Sequence, residues 1–111
     1  MEPIADESIE KPKTIEVFKN GVSNISKTAD NCSYAYVNLN AEGKELLCLY
    51  EVLYNYPHLR YVNVSNNQIN DLSTVVELEH LLLLNAAKNH IKDVSFLGIK
   101  GKLQYLQIAN F

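Results

Sequence analysis

The side chains best placed to do chemistry in this chain are asparagines. Asn67 and Asn89 lie 22 residues apart, and each follows an aliphatic residue, Val64 or Ala86, by three positions. An amide side chain carries both hydrogen-bond donors and an acceptor, so it can satisfy backbone groups left unpaired where a chain turns. We therefore predict that Asn67 and Asn89 are structural residues, with a hydrogen-bonding role inside the fold.

The remaining candidate nucleophiles and ligands form no catalytic or metal-binding motif. The chain has three histidines and two cysteines: His58, His80, His90, Cys32 and Cys48. His58 and His80 stand at predicted repeat boundaries, where we expect solvated side chains, and no Cys/His cluster has zinc spacing. Nucleophile elbows, phosphate loops and paired carboxylates are also missing from the sequence. The sequence predicts no enzyme, no cofactor, no metal and no small-molecule substrate.

Composition indicates one modest domain. The chain has 111 residues, of which 47% are hydrophobic and 21% charged, and its net charge is −3. No basic patch suggests nucleic acid, and the longest aliphatic run, "LLLL" at 81–84, is far shorter than a membrane span. The N-terminus has no apolar stretch of the kind found in secretory signals. We expect a cytoplasmic protein that binds neither nucleic acid nor membrane.

Two segments share an unusual mixed spacing of aliphatic residues. "LRYVNVSNNQINDL" at 59–72 and "LLLLNAAKNHIKDV" at 81–94 both fit L-x-x-L-x-L-x-x-N-x-L, the leucine-rich-repeat signature. In each unit a short strand points two aliphatic residues inward, the asparagine stands at a turn, and an outer segment follows with near-helical spacing. The predicted fold class is α/β: a right-handed solenoid with short parallel strands on its concave face. Val62, Val64, Leu84 and Leu106 are the expected inward residues.

A weaker copy of the unit precedes these two. The unit at 59–72 is matched, 25 residues earlier, by Tyr34, Val37, Leu39 and Leu47. The segment that follows, "KELLCLYEVLYNYP", is rich in apolar residues and stops at a proline, which predicts a helix over about 44–55. The repeats are therefore expected at 34–58, 59–80 and 81–105, with a further one starting at 106–111.

The last segment, "GKLQYLQIANF", allows two registers. An offset of 22 aligns Leu106 with Leu84, whereas an offset of 25 aligns Leu106 with Leu81. We prefer 25 because it preserves the L-x-x-L-x-x-L spacing of leucines that leads into the strand of the preceding unit at 78–84. Because the chain stops inside this strand, we expect an array truncated at its C-terminus: a fragment or a short isoform of a longer one.

The segment before the repeats looks like a cap. Ile15, Phe18, Val22 and Ile25 recur at gaps of 3, 4 and 3, which predicts an amphipathic helix over 14–27. We interpret 14–33 as an N-terminal capping helix with a linker, since a solenoid must cover its first apolar edge. Residues 1–13 are polar and contain two prolines, which favours a disordered tail.

Several local strings are more specific than the general repeat. "KTADNCSYAYVNL", "HLRYVNVSNNQINDLS", "LEHLLLL" and "LQYLQIANF" resemble the N-terminal part of an axonemal family, leucine-rich repeat-containing protein twenty-three. The resemblance covers about residues 18–111. It implies a non-enzymatic scaffold that helps build a radial spoke in the axoneme of motile cilia and flagella, with other axonemal proteins as partners. It also implies an array that continues past Phe111.

Alternate strand residues should form columns on the concave face. Under the offsets of 25, 22 and 25, one column holds Asn38, Asn63, Asn85 and Asn110, and its neighbour holds Tyr36, Tyr61, Leu83 and Ile108. A third column holds Asn40, Ser65 and Ala87. These uncharged side chains predict a protein-binding surface, because tyrosines are common interface anchors and amides can pair with a partner's backbone. The alternative is an amide ladder that only stabilises stacked strands.

Two other functions compete with the axonemal scaffold. A generic cytosolic adaptor or regulatory subunit, of the phosphatase-regulating or splicing-associated kind, would share the 22-residue unit. An extracellular recognition module would carry cysteine-rich caps and a secretory signal, and neither is present in the sequence.

Overall fold

One helix, five short strands and two 3₁₀ helices make up the part of the chain that the structure describes. The structure is a computed structural model, and it describes residues 7–28 and 30–91 and the backbone of 105–107. The elements are α1 (Glu7–Gly21), β1 (Val22–Lys27), β2 (Tyr34–Asn40), β3 (Tyr61–Asn63), β4 (Leu83–Asn85) and β5 (Tyr105–Gln107). The 3₁₀ helices span Val52–Asn55 and Ser73–Glu77.

The strands form a single sheet in the order β1-β2-β3-β4-β5. β1 pairs with β2 in antiparallel fashion, and the pairs from β2 to β5 are parallel. Parallel neighbours need a crossover connection; here those between β2 and β3 and between β3 and β4 each contain one 3₁₀ helix. The repeating coil of short parallel strands confirms the predicted fold class.

The inward strand residues of successive coils share one apolar core. Val62, Val64 and Leu84 are fully buried, as predicted. The same core takes Leu39 and Ala41 from the first coil, together with aliphatic residues from the outer segments: Leu46, Leu49, Val52, Leu53, Ile69, Leu72, Val75, Leu78 and Ile91. Each coil therefore buries its apolar face against the next coil and not within itself. The predicted inward position of Leu106 lies outside the described side chains.

The N-terminal cap differs from the prediction in both its limits and its shape. α1 begins at Glu7, so the predicted disordered tail is wrong for 7–13, and residues 1–6 lie outside the described part. The helix is held to the first coil by Lys11 Nζ, 3.2 Å from a Glu51 carboxylate oxygen, and by Lys13 Nζ, which donates to the Glu45 carbonyl at 2.9 Å. Polar composition could not reveal these contacts, because their partners lie more than thirty residues away.

The predicted helix over 14–27 is wrong beyond Gly21. Residues 22–27 form β1, and Ile25 is 63% exposed on the sheet instead of covering the core. α1 ends where its backbone meets β2: a side chain at Gly21 would collide with the carbonyl oxygen of Asn40. Phe18 is fully buried in the core cluster, so α1 does cover the first coil, as expected of a cap.

The helix predicted over about 44–55 is also wrong for most of its length. Only Val52–Asn55 is helical, and it is a 3₁₀ turn. Glu45 and Tyr50 have positive φ angles of 57° and 51°, which interrupt an α-helix. Leu46 N–H donates to Asn67 of the next coil, so its hydrogen bond is made between coils.

The strand registers correct the predicted columns. Leu39 pairs with Val62 at an offset of 23 residues, not 25, so Asn38 lies beside Tyr61 and Asn40 beside Asn63. A shift of two residues keeps every side chain on the same face, and the inside-outside pattern therefore could not choose between these offsets.

The last pairing follows the offset of 22 residues that the sequence interpretation rejected. Leu106 pairs with Leu84, so Tyr105 and Gln107 hold the register positions beside Leu83 and Asn85 that were assigned to Ile108 and Asn110. This register pairs a large aliphatic residue with the buried Leu84, where the offset of 25 would have placed Ala109. Ile108 and Asn110 themselves lie outside the described residues.

The concave face and its asparagines

Asn67 joins two coils through its buried amide. Its Oδ1 accepts hydrogen bonds from the N–H groups of Lys44 (2.9 Å) and Leu46 (3.0 Å) in the preceding coil. Its Nδ2 donates to the carbonyls of Ala41 (2.9 Å), Val64 (2.8 Å) and Ser65 (3.1 Å). The side chain thus satisfies five backbone groups where the chain leaves the strand, and the predicted structural role is confirmed.

Asn89 repeats the arrangement one coil later. Its Oδ1 accepts from Ile69 N–H at 3.1 Å, and its Nδ2 donates to Val64 at 2.9 Å, Ala86 at 3.1 Å and Ala87 at 3.3 Å. Like Asn67, it reaches back into the preceding coil as well as across its own turn. Buried amides at the same point of successive coils therefore hold the coils in register.

A second row of asparagines lies on the exposed side of the sheet, which is the concave face. The row consists of Asn40, Asn63 and Asn85, and we call it the amide row. In each case Oδ1 accepts from the N–H two residues ahead, on Glu42 (3.2 Å), Ser65 (3.1 Å) and Ala87 (3.2 Å) respectively. These Asx turns end the strands. Each of these oxygens bonds within its own coil, so these bonds do not form the amide ladder between stacked strands that the alternative interpretation predicted.

The nitrogens of the amide row are used differently from the oxygens. Asn63 Nδ2 donates to the Glu42 carboxylate at 3.3 Å. Asn40 and Asn85 make no hydrogen bond through Nδ2 to any residue within the described ranges. Asn38 precedes Asn40 by two residues on the same face of β2, and its Oδ1 is buried without a partner among the described residues. The asparagines of this face therefore turn their acceptors inward.

Ser65 does not belong to the accessible surface. It is 3% exposed, and its Oγ lies 2.7 Å from Asn63 Oδ1 and 3.1 Å from the Glu42 carboxylate, to which it can donate. The prediction that Ser65 offers a group to a partner is wrong, because its hydroxyl completes a local network with Asn63 and Glu42. That network orients the turn after β3.

Beside the amide row runs a band of apolar side chains, all exposed except the half-buried Leu83, which we call the tyrosine band. Its members are Ile25, Tyr34, Tyr36, Tyr61 and Leu83. Tyr36 and Tyr61 are each 42% exposed, and Tyr36 pairs with Ile25 across β1 and β2. The predicted column of Tyr36 directly beside Tyr61 is wrong, because Asn38 occupies that position. The structure nevertheless places both tyrosines on one face.

Charged groups stand at the two ends of the strands, not within the band. At the end where the parallel strands begin, Arg60 Nη2 donates to the Lys27 carbonyl at 2.9 Å, which ties β3 to β1 across β2. In the neighbouring hairpin loop, hydrogen bonds from the Thr28 hydroxyl and the Cys32 N–H hold the pKa of Asp30 below its usual range. At the opposite end lies Glu42. Lys27, also at a strand end, pairs with Tyr34 at the edge of the tyrosine band. The cross-strand neighbours of Tyr36 and Tyr61, which are Ile25, Asn38 and Leu83, carry no charge.

The histidines of the repeat boundaries stack on each other. The rings of His58 and His80 are 5.7 Å apart between centroids and inclined by 10°. Both residues are half-buried, so the prediction that their side chains are solvated is wrong. Within the described ranges, no group of histidine, cysteine or acidic residues could hold a metal ion. In the same ranges no helix is long and apolar enough to cross a membrane.

Sequence reasoning missed one residue of this face and assigned another to the wrong column. Asn40 belongs to the amide row, and Ile25 belongs to the tyrosine band. In the sequence, either Val37 with Leu39 or Leu39 with Ala41 can match Val62 and Val64, so this pattern did not fix the register of β2. No local signal could have placed Ile25, because its position depends on β1 pairing with β2.

Fold and repeat spacing together define a leucine-rich-repeat protein. An internalin from Listeria monocytogenes has a similar structure, with a TM-score of 0.58 and 27% identity over 63% of this chain and 21% of the internalin. Within the class, the chain belongs to the family of leucine-rich repeat-containing protein 23. It is 38% identical to the human protein of that name over 106 residues, 96% of this chain, and 36% identical to the mouse protein over 110 residues, 99% of this chain.

The matched relatives are much longer than this chain. It spans 29% of the human and bovine proteins and 31% of the mouse protein. No family model matches the chain. Membership of the family therefore depends on the similarity to these relatives and on the repeat architecture.

Proposed function

We propose that this chain is a protein-binding scaffold whose concave face docks another protein. The observation that carries the proposal is the tyrosine band, an apolar surface whose centre at Tyr36 and Tyr61 has uncharged neighbours and whose edge at Tyr34 lies beside Lys27. Tyrosines anchor interfaces because they bury a large area with few rotatable bonds. The binding residues are the tyrosine band and the exposed nitrogens of the amide row.

We further propose that the scaffold works in the axoneme of motile cilia or flagella as a radial-spoke component. The support is the family relationship to leucine-rich repeat-containing protein 23 together with the axonemal role that the sequence resemblance implies. Its partners would then be other axonemal proteins, and its place in the cell the ciliary cytoskeleton. The competing function is that of a cytosolic adaptor, which would use the same face in a soluble complex.

Detergent extraction of ciliated cells separates these functions. We expect the tagged chain to remain with the extracted axonemes. Replacing Tyr61 with alanine should release most of it, because the side chain is 42% exposed at the centre of the face and its loss removes an anchor. The amount of chain in the axonemal and soluble fractions is compared on blots.

The matched control is Tyr54→Ala. Tyr54 is 49% exposed but lies in the 3₁₀ helix on the outer side, so its replacement should leave the distribution unchanged. A chain found entirely in the soluble fraction would reject the axonemal function and favour the adaptor. Equal retention of the Tyr61→Ala and unsubstituted chains would reject docking through the concave face.

A further inference from the structure

The geometry points to a proline-rich segment in the polyproline II conformation as the ligand of the concave face. Its carbonyl oxygens would accept hydrogen bonds from the amide row, and its pyrrolidine rings would pack on the tyrosine band. This inference rests on the proposed function, since it names the kind of partner that the same face binds.

The first argument is the hydrogen-bonding polarity of the asparagines. The Oδ1 atoms of Asn40, Asn63 and Asn85 are each committed to a backbone N–H two residues ahead, and Asn38 Oδ1 is buried. Among the described residues nothing accepts from the Nδ2 groups of Asn40 and Asn85, so these groups, which can only donate, are what the two side chains offer. The face therefore fits a partner that brings acceptors and few donors.

The second argument compares the three regular conformations that a bound segment could take. A helix uses its backbone carbonyls internally, so it would leave the amide row unmatched except at one end. A β-strand brings an N–H for every carbonyl, and those donors would meet other donors. A polyproline II segment exposes all its carbonyls, has no internal hydrogen bonds, and lacks an N–H at every proline.

The third argument is the apolar character of the tyrosine band, whose centre has uncharged neighbours. Proline-rich segments dock in grooves lined by aromatic side chains, and three of the five residues of the band are tyrosines: Tyr34, Tyr36 and Tyr61. Lys27 lies beside Tyr34 at one edge of the band, whereas the cross-strand neighbours of Tyr36 and Tyr61 are uncharged. The centre of the band therefore offers nothing specific to a strongly acidic or basic segment.

The dimensions of the sheet are compatible with a short segment. From β1 to β4 the strands are separated by three gaps of about 4.8 Å each, or about 14 Å in total. A polyproline II helix rises about 3.1 Å per residue, so roughly five residues would cross the four strands. A decaproline peptide is long enough to span the face in either direction.

The test titrates the full chain with decaproline and follows binding by two-dimensional ¹H–¹⁵N NMR. We expect shifts in the side-chain NH₂ signals of Asn40 and Asn85 and in the backbone signal of Tyr61. A ten-residue Gly-Ser peptide, which has the same length but an N–H at every residue, should give much smaller shifts.

One substitution isolates the donors from the turn that they share. Asn85→Asp keeps an oxygen to accept from Ala87 N–H but removes the two N–H donors, so the turn survives and the ligand contact does not. We expect about a tenfold loss in affinity for decaproline from Asn85→Asp and a similar loss from Tyr61→Ala. Controls on other surfaces, Asn70→Asp and Tyr54→Ala, should bind as the unsubstituted chain does.

The outcomes distinguish this inference from the proposed function. If decaproline shifts no signal on the concave face while Tyr61→Ala still releases the chain from axonemes, the face binds proteins of another kind and the inference fails alone. If decaproline binds but Asn85→Asp binds it equally well, the donor argument is wrong and the inference is overturned. If the Tyr61 substitution changes neither the affinity for decaproline nor the retention on axonemes, both the inference and the proposed function fail.

Discussion

Burial decides what each asparagine does. Asn67 is 5% exposed, and its amide oxygen and nitrogen hydrogen-bond to five backbone groups in two coils. Asn40 and Asn85 use their oxygen in a local turn, and their nitrogen has no partner among the described residues. The repeat pattern could single out Asn67, because the turn recurs at that position. It could not tell how an amide near a strand end divides its two groups between fold and surface.

Asn67→Ala tests the structural amide. The substitution strands buried backbone groups of Lys44, Leu46 and Ala41, so we expect the free energy of unfolding to fall by about 3 kcal/mol. Urea denaturation followed by circular dichroism measures the change. Asn70→Ala, on an exposed residue of the same coil, should change it by less than about 0.5 kcal/mol. Equal effects of the two substitutions would show that the turn does not need the amide.

At the scale of elements, the N-terminal cap is a helix followed directly by a strand. α1 ends at Gly21, and β1 begins at Val22 and pairs with β2. Apolar spacing predicted that a helical segment covers the first coil, and Phe18 does so. The same spacing continued through Val22 and Ile25, where pairing with β2 outweighs the local helical period. Tertiary contacts of this kind routinely override local preference.

Gly21→Ala tests the joint between α1 and β1. A methyl group at this position would meet the Asn40 carbonyl oxygen, so α1 or β2 must shift, and we expect a loss of about 1–3 kcal/mol in stability. In hydrogen-exchange measurements, the substitution should accelerate exchange in α1 and β1 more than in β4. Lys19→Ala, on the exposed side of α1, serves as the control. Unchanged exchange in β1 would contradict a tight joint.

The whole molecule is held together by a core that no single coil completes. Val64 is fully buried, and its carbonyl accepts from Asn67 of its own coil and from Asn89 of the next coil, so it links two successive coils. Asn67 in turn bonds to Lys44 and Leu46 of the preceding coil. Stability in such an array comes from contacts between neighbours. Damage in the middle coil should therefore spread to both sides.

Val64→Asp tests this coupling. A buried carboxylate at a site surrounded by apolar residues has no partner, and we expect the loss of cooperative unfolding for the entire chain. Thermal unfolding followed by circular dichroism measures it. Gln68→Asp adds the same charge at an exposed position four residues away and should shift the Tm by only a few degrees. A Val64→Asp chain that still melted in one sharp transition would refute the shared core.

The sequence by itself determined the repeating unit, the inward aliphatic residues and the buried asparagines, because each follows from spacing within one coil. Only the tertiary structure decided the strand registers, the strand after α1 and the identity of the exposed rows. These depend on how one coil lies against another: a two-residue slip between β2 and β3 leaves the inside-outside pattern unchanged. The contacts that choose among such slips join residues more than twenty positions apart, so no local pattern records them.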